Sequence, residues 1–283
     1  MKKTVIILCS LLTLTACTKQ WNDLVSDTVA KGEGFDPREE GPQLYNMSFD
    51  NWTQEGINKL DVCYGPNATA AQKTVWGSAN GTTAPLGYPT VVPEDKFLAV
   101  PGEGKKAVKL QTQGVSALFG MVKRLAAGSI FNGSTGEINL TKMSASIYWG
   151  IPFNHRPVSL QGYACYKPGV IDWVQDPYRN MEGQLDKGHI FIILADWDQP
   201  FEVSPPEKLF NPDTDPGVIG YGKVTFEKTM DAYEKFTVKI DYRNERTPRY
   251  VAIVAASSAL GDYFTGSTSS VLYLDELQFI YQP

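Results

Sequence analysis

Two runs in this chain, HIFIIL (His189 to Leu194) and RYVAIVAAS (Arg249 to Ser257), are apolar on both alternating faces. Central strands of a sheet read this way. Two further runs alternate. KAVKLQT sets Val108, Leu110 and Thr112 against Lys109 and Gln111. EKFTVKIDY sets Phe236, Val238, Ile240 and Tyr242 against Lys235, Thr237, Lys239 and Asp241. Both are half-buried strands, one face on a core and one in water. Clusters of Gly, Pro, Asn and Asp such as PPEKLFNPDTDPG separate the runs. Many short strands with few helices predict an all-β sandwich, a single domain over residues 44–283.

Val115, Leu118, Phe119, Val122 and Leu125 recur at helical spacing, among Gly114, Gly120 and Gly128, and predict the one helix of note. The last strand, VLYLDELQFIY, carries a parity conflict. Leu272 and Leu274 share one face, while Leu277 and Phe279 fall on the other. Both sets turn inward only across a one-residue slip, so a bulge is expected near Asp275 and Glu276. Cys63 and Cys165 are expected to be buried thiols, because a chain of this size and apolarity needs no staple.

The amino terminus points to export. Lys2 and Lys3 precede an apolar run ending in Leu14-Thr15-Ala16-Cys17, a secretory signal over residues 1–16. The cut before a cysteine resembles a bacterial lipobox, which implies a lipid on Cys17 and an exported protein anchored to the cell envelope. Residues 17–43 have no sustained period and read as a tether. A flexible chain of that length spans roughly 25–30 Å. Loss of Lys2 and Lys3 takes the formal charge from −5 to −7. Nucleic acid, which needs a basic surface, is excluded as a partner, and the membrane is reached through the lipid only.

Three stretches then look familiar together: YNMSFDNWT, GIPFNHRPVSLQGYACYKPG and YVAIVAASSALGDYFTGSTSSVLYLDELQF, with LAAGSIFNG and VIGYG in the same order. The chain resembles the Putative carbohydrate metabolism domain family of bacterial lipoproteins over nearly all of residues 44–283. The resemblance implies a β-jelly-roll sandwich, like those attached to carbohydrate-active enzymes, and a pocket that holds carbohydrate. It carries Phe153, Arg156, Pro157, Gly162 and Tyr166.

A sugar offers hydroxyls in its ring plane and C–H faces above and below, so its site wants aromatic platforms and fixed polar groups. His155 and Arg156 fit, with Trp149 leading in and Tyr163 and Tyr166 leading out. Arg156 would clamp hydroxyls or a uronate; the plain alternative is that it holds a loop. Trp76 and Asn80, in the Gly-rich VWGSANGTTAP, form a second patch. Asp262 and Phe264, with Ser257, Ser258 and Tyr263, form a third in the loop before the last strand.

Two other classes stay open. A glycoside hydrolase needs two carboxylates about 5–5.5 Å or 6.5–9.5 Å apart, and Asp196 with Asp198 in LADWDQP is the best local pair, ahead of Asp172 with Asp176. A structural subunit of a cell-surface assembly would bind no sugar. Motifs for cofactors, phosphate loops and zinc are missing from the sequence, so no cofactor is expected. His189 opens an apolar strand and reads as structural. Asp50 and Asp275 resemble positions that hold structural calcium in other sugar-binding jelly rolls, yet two carboxylates fall short of its six to eight oxygens, and no metal is predicted.

Overall fold

The structure is a computed structural model that describes residues 41–117, 120–139 and 144–281. Cys17, the signal and most of the expected tether lie outside the described residues. Residue 43 already packs on the last strand. Gln43 is buried, its amide donating to the Phe279 carbonyl at 2.8 Å and accepting from the Phe279 N–H at 2.7 Å.

Two antiparallel sheets face each other as a jelly-roll sandwich. A five-stranded sheet runs in the order Glu234–Lys239, Ser159–Lys167, Val271–Ile280, Ala107–Gln111, Val91–Glu94. A seven-stranded sheet runs in the order Asp241–Tyr242, Val218–Phe226, Gly188–Ala195, Tyr250–Ala256, Ser129–Phe131, Gly77–Ser78, with Ile151–Pro152 added beside Tyr250–Ala256. Leu110, Leu160, Leu272 and Phe279 from the first meet Ile190, Ile192, Val251 and Ile253 from the second. Each such side chain contributes about 1.5–3 kcal/mol by leaving water.

The other parity of the seven-stranded sheet explains why its central strands are apolar throughout. Phe191, Ile193, Ala252 and Val254 form a second core with Trp149 and Val203. The latter two come from a three-stranded sheet, Phe201–Val203, Ser144–Trp149 and Gly133–Asn139, which roofs the outer face. Chain passes between floor and roof at Gly133 and Gly150, with φ of 135° and 112°, where only glycine is unstrained.

The expected helix is not formed. Gln113–Ala117 and Val122–Ala126 pair instead as an antiparallel hairpin, Val115 opposite Arg124. Leu118 and Phe119 lie outside the described residues. Gly120, at φ 86°, serves the turn of a hairpin, and the run is too short and glycine-rich to sustain helical turns.

The bulge does form. Pairing steps from Gln161–Gln278 to Tyr163–Asp275, so one residue is extra on the last strand, and Glu276 takes a φ of 47°. Leu272, Leu274, Leu277 and Phe279 are all buried as a result. Cys63 and Cys165 are buried free thiols.

At the bulge, Asp50 and Glu276 share the Lys105 ammonium at 2.9 and 3.1 Å, so the cation at these acids is a lysine. Among the described residues no group of three His, Cys, Asp or Glu is placed to hold a metal. Asp275 accepts the Ala99 N–H at 2.8 Å, and burial pushes its carboxyl up to about 7. An unfolded chain titrates at ~3.9. Between those values the folded state keeps a proton that the unfolded state has released. This contribution is therefore complete below pH ~4 and is lost as pH rises through 7. Asp275→Asn, which retains an oxygen for Ala99, should show a smaller decline in denaturation free energy from pH 4 to 7 than the parent chain. Parallel profiles would remove Asp275 from the pH response.

Candidate functional site

Between roof and floor lies a cavity of about 280 Å³. Its floor is Phe131, His189, Phe191, Val254 and Ala256 of the seven-stranded sheet, and Ile147 and Trp149 of the roof close one side. The hairpin supplies Arg124, and the loop between the last two long strands supplies Ser258, Asp262 and Phe264. The lining is mostly apolar because it is the second core left incompletely filled. A volume near the lower end of the ~300–1,000 Å³ typical of ligand pockets suits one ring or a chain end.

Two lining residues hold ring nitrogens that are sealed from solvent. Trp149 Nε1 and His189 Nδ1 are buried with no hydrogen-bond partner among the described residues. Both rings pack edge-on to Phe191, at centroid distances of 5.6 and 5.3 Å. Burial, with a smaller push from Lys223, lowers the His189 pKa to about 3, so its imidazole is neutral at physiological pH. Asp262 stands open to water at the rim. The protein packed around its carboxyl nevertheless disfavours the charge and pushes its pKa up to about 6. The Arg124 guanidinium lies over the Phe264 ring, 4.3 Å from its centroid, and fixes that rim.

Of the residues singled out in the sequence, the fold brings Trp149, Asp262 and Phe264 to this cavity, and Ser258 with them. The others are placed elsewhere. Trp76 is 5% exposed, donates to the Tyr45 carbonyl at 3.0 Å and packs on Phe49. Asn80 is buried, its Oδ1 accepting from the Thr90 and Val91 amides at 3.0 Å each. Tyr166 is 0% exposed, and its hydroxyl donates to the Ser257 carbonyl at 3.0 Å. These three are corrections: a ring face or amide sealed in the main core cannot meet a ligand. Tyr163 sits on the outer face of the five-stranded sheet, opposite Asp275 and Lys235.

Arg156 realises its plain alternative. Its guanidinium stacks 4.0 Å from the Tyr242 ring centroid and donates to the carbonyls of Arg246 and Asn244 at 2.5 and 2.9 Å. His155 packs against Phe153, 5.8 Å between centroids, away from the cavity. Arg156→Ala should therefore cost about 1–2 kcal/mol of stability and loosen the loop at residues 244–246. Thermal unfolding checks this; parent-like melting would mean that these contacts do not hold the loop.

Asp196 and Asp198 border a second, more polar cleft with Trp197, Tyr148 and Lys208. Each is already engaged: Asp196 with Arg246, and Asp198 with Arg249 at 2.8 Å. Asp172 accepts from the Thr268 N–H at 2.9 Å, and Asp176 pairs with Arg179 at 2.8 Å. None of the four lines the cavity.

Phe131, Ile147, Phe191 and Arg124 are among the lining residues that the sequence did not mark as site residues, and His189, read there as structural, is another member of the lining. His189 carried one available signal, a titratable group opening an otherwise apolar strand.

No curated protein matches the chain. Several solved structures match the chain, among them two with TM-scores above 0.5. One, described as a putative glycoside hydrolase from Bacteroides thetaiotaomicron, is 23% identical with a TM-score of 0.55, covering 74% of this chain and 63% of that one. The other, described as a putative glycoside hydrolase from Bacteroides vulgatus, is 18% identical with a TM-score of 0.60, covering 82% and 96%. The chain thus spans about 63% of the length of the first. At such identities the likeness concerns the fold alone. The sequence itself says more: residues 48–280, which hold both sheets, the roof and the cavity lining, match the family described as Putative carbohydrate metabolism domain, and the chain belongs to that family.

Proposed function

We propose that this chain is a glycan-binding protein of the cell envelope, lipid-anchored through Cys17 and serving polysaccharide use, with the cavity under the roof as its sugar site. The observation that supports the reading is an apolar, aromatic-walled cavity that carries a few polar side chains, Arg124, Ser258 and Asp262 among them. Sugars need that combination, ring faces for their C–H surfaces and few but fixed polar groups. Family membership favours carbohydrate as the ligand class. The anchor rests on the sequence of residues 1–17.

A glycan array probed with the full chain and with Ala256→Phe tests it. Ala256 lines the floor, and a phenyl ring there fills the cavity at a cost of about 1–3 kcal/mol. Binding by the parent chain and loss in the folded variant is the expected result. A folded parent chain that binds nothing would favour the assembly-subunit reading. The descriptions of the two similar structures favour hydrolysis, but the cavity offers it no carboxylate pair, Asp262 being the one lining acid among the described residues.

A further inference from the structure

Where floor strands pass into the roof, two open concavities of about 890 and 560 Å³ adjoin. Both are lined by Ser134, Tyr148 and Pro200, and neither shares a lining residue with the cavity under the roof. Asp198 lines the first and Arg249 the second, and their ion pair at 2.8 Å joins the two walls. The two form one trough. Gly217 in the first and Gly150 in the second keep it clear of side chains. A Cβ at Gly150 would lie 3.4 Å from both Trp197 Cζ3 and Tyr250 Cδ1. Tyr148, half-buried, stands at the junction with its ring laid against Gly136, where a Cβ would fall 2.4 Å from Cε2. Tyr250 is half-buried in the second concavity.

The charged groups of this trough are already engaged. Arg246 holds Asp196, Arg249 holds Asp198, and Lys208 holds Glu202 at 3.0 Å. Asp215 accepts from the Gly217 amide at 2.8 Å and from the Trp197 indole at 3.3 Å. Four carboxylates thus stand against three cations. Among the hydroxyls, that of Thr74 donates to the Ala71 carbonyl at 2.8 Å. The groups left over are neutral: the side chains of Ser134, Tyr148, Asn154, Gln199 and Tyr250 make no hydrogen bond to a described residue. A uronate or sulfated chain finds no spare cation here and meets an excess of carboxylate. An uncharged sugar chain finds donors and acceptors for its hydroxyls in both concavities, and tyrosine rings for its C–H faces. Each concavity lies within the ~300–1,000 Å³ of a ligand site, so the joined trough has room for several sugar rings in a row.

We propose that this trough is a second glycan site, which holds an internal run of an uncharged polysaccharide. The proposal rests on carbohydrate as the ligand class and is independent of the cavity, whose size suits a chain end. The short glycans of an array therefore report on the cavity, and long polymers report on the trough.

The test is affinity gel electrophoresis of the full chain in β-glucan, xylan, mannan, galactan and polygalacturonate. At least one uncharged polymer should retard it. Tyr148→Ala should weaken that binding about tenfold or more. Ser134→Arg, which sets a long side chain at the exposed junction, should do the same should Tyr148→Ala fail to fold. Ala256→Phe, which fills the cavity, should leave the retardation unchanged. Retardation that survives in folded Tyr148→Ala and Ser134→Arg overturns the trough site. Loss in folded Ala256→Phe overturns its independence from the cavity, and the sugar site under the roof then stands alone. Retardation by polygalacturonate above every uncharged polymer overturns the ligand class. No retardation of the folded chain in any polymer overturns the trough, and the array then decides the cavity reading.

Discussion

Gly133→Ala is expected to lower stability by about 3–5 kcal/mol and to abolish the glycan binding proposed for the cavity. Gly133 stands where the chain leaves floor strand Ser129–Phe131 and begins roof strand Gly133–Asn139, and it pairs directly with Trp149. Its φ of 135° is open to glycine and strained for alanine. A methyl group there would collide with the Tyr148 carbonyl oxygen and lie 3.2 Å from Trp149 Cα. Those are backbone atoms of the neighbouring strand, which has no rotamer to change. The pair must open, and with it goes Trp149, a wall of the cavity and part of the second core. Thermal unfolding and array binding of the variant check this. Parent-like melting with retained binding would mean that the roof tolerates a shift at its junction.

The second large effect is expected at Asp186. This carboxylate is 2% exposed, and Oδ2 accepts from Ser258 Oγ, the Ser267 amide and Ser270 Oγ at 2.6, 2.8 and 2.9 Å. Its Oδ1 accepts from the Lys187 amide at 2.8 Å. Burial pushes its pKa up, and the four donors offset only part of that rise. Ser258 continues the network to Thr112 at 2.7 Å and itself lines the cavity. One acceptor thus ties down the loop that carries Asp262 and Phe264. Asp186→Ala leaves several buried donors unpaired at about 1–3 kcal/mol each. A loss of about 4 kcal/mol or more is the expected total, a large share of the stability of a typical domain. Asp186→Asn keeps one accepting oxygen and should fall between the two. Urea denaturation of the three proteins orders them; an alanine variant within about 1 kcal/mol of the parent would show that the serines find other partners.

How much of the fold was legible follows from how local each signal is. Strand faces are written in period two, so Gly188–Ala195, Tyr250–Ala256 and the alternating strands could be placed from residue order alone. The bulge at Glu276 was legible for the same reason, as a break in parity. The hairpin at Gln113–Ala117 and Val122–Ala126 was misread because a few apolar residues fit either period when glycines interrupt them. Functional side chains were harder. Trp76, Asn80 and Tyr166 have the right chemistry for sugar, yet burial is settled by what packs over them, which residue type does not encode. Arg156 finds its carbonyl partners 88 and 90 residues away.

The sequence by itself determined the sandwich, its half-buried and fully buried strands, and the parity slip of the last strand, because each depends on neighbours two residues apart. Only the tertiary structure decided where a ligand could sit. The cavity draws on segments from Ser78 to Phe264, and no window of the chain contains it. It exists because the roof covers the outer face of the seven-stranded sheet without filling it. That residual space is a property of packing between elements, and packing is set by the whole fold.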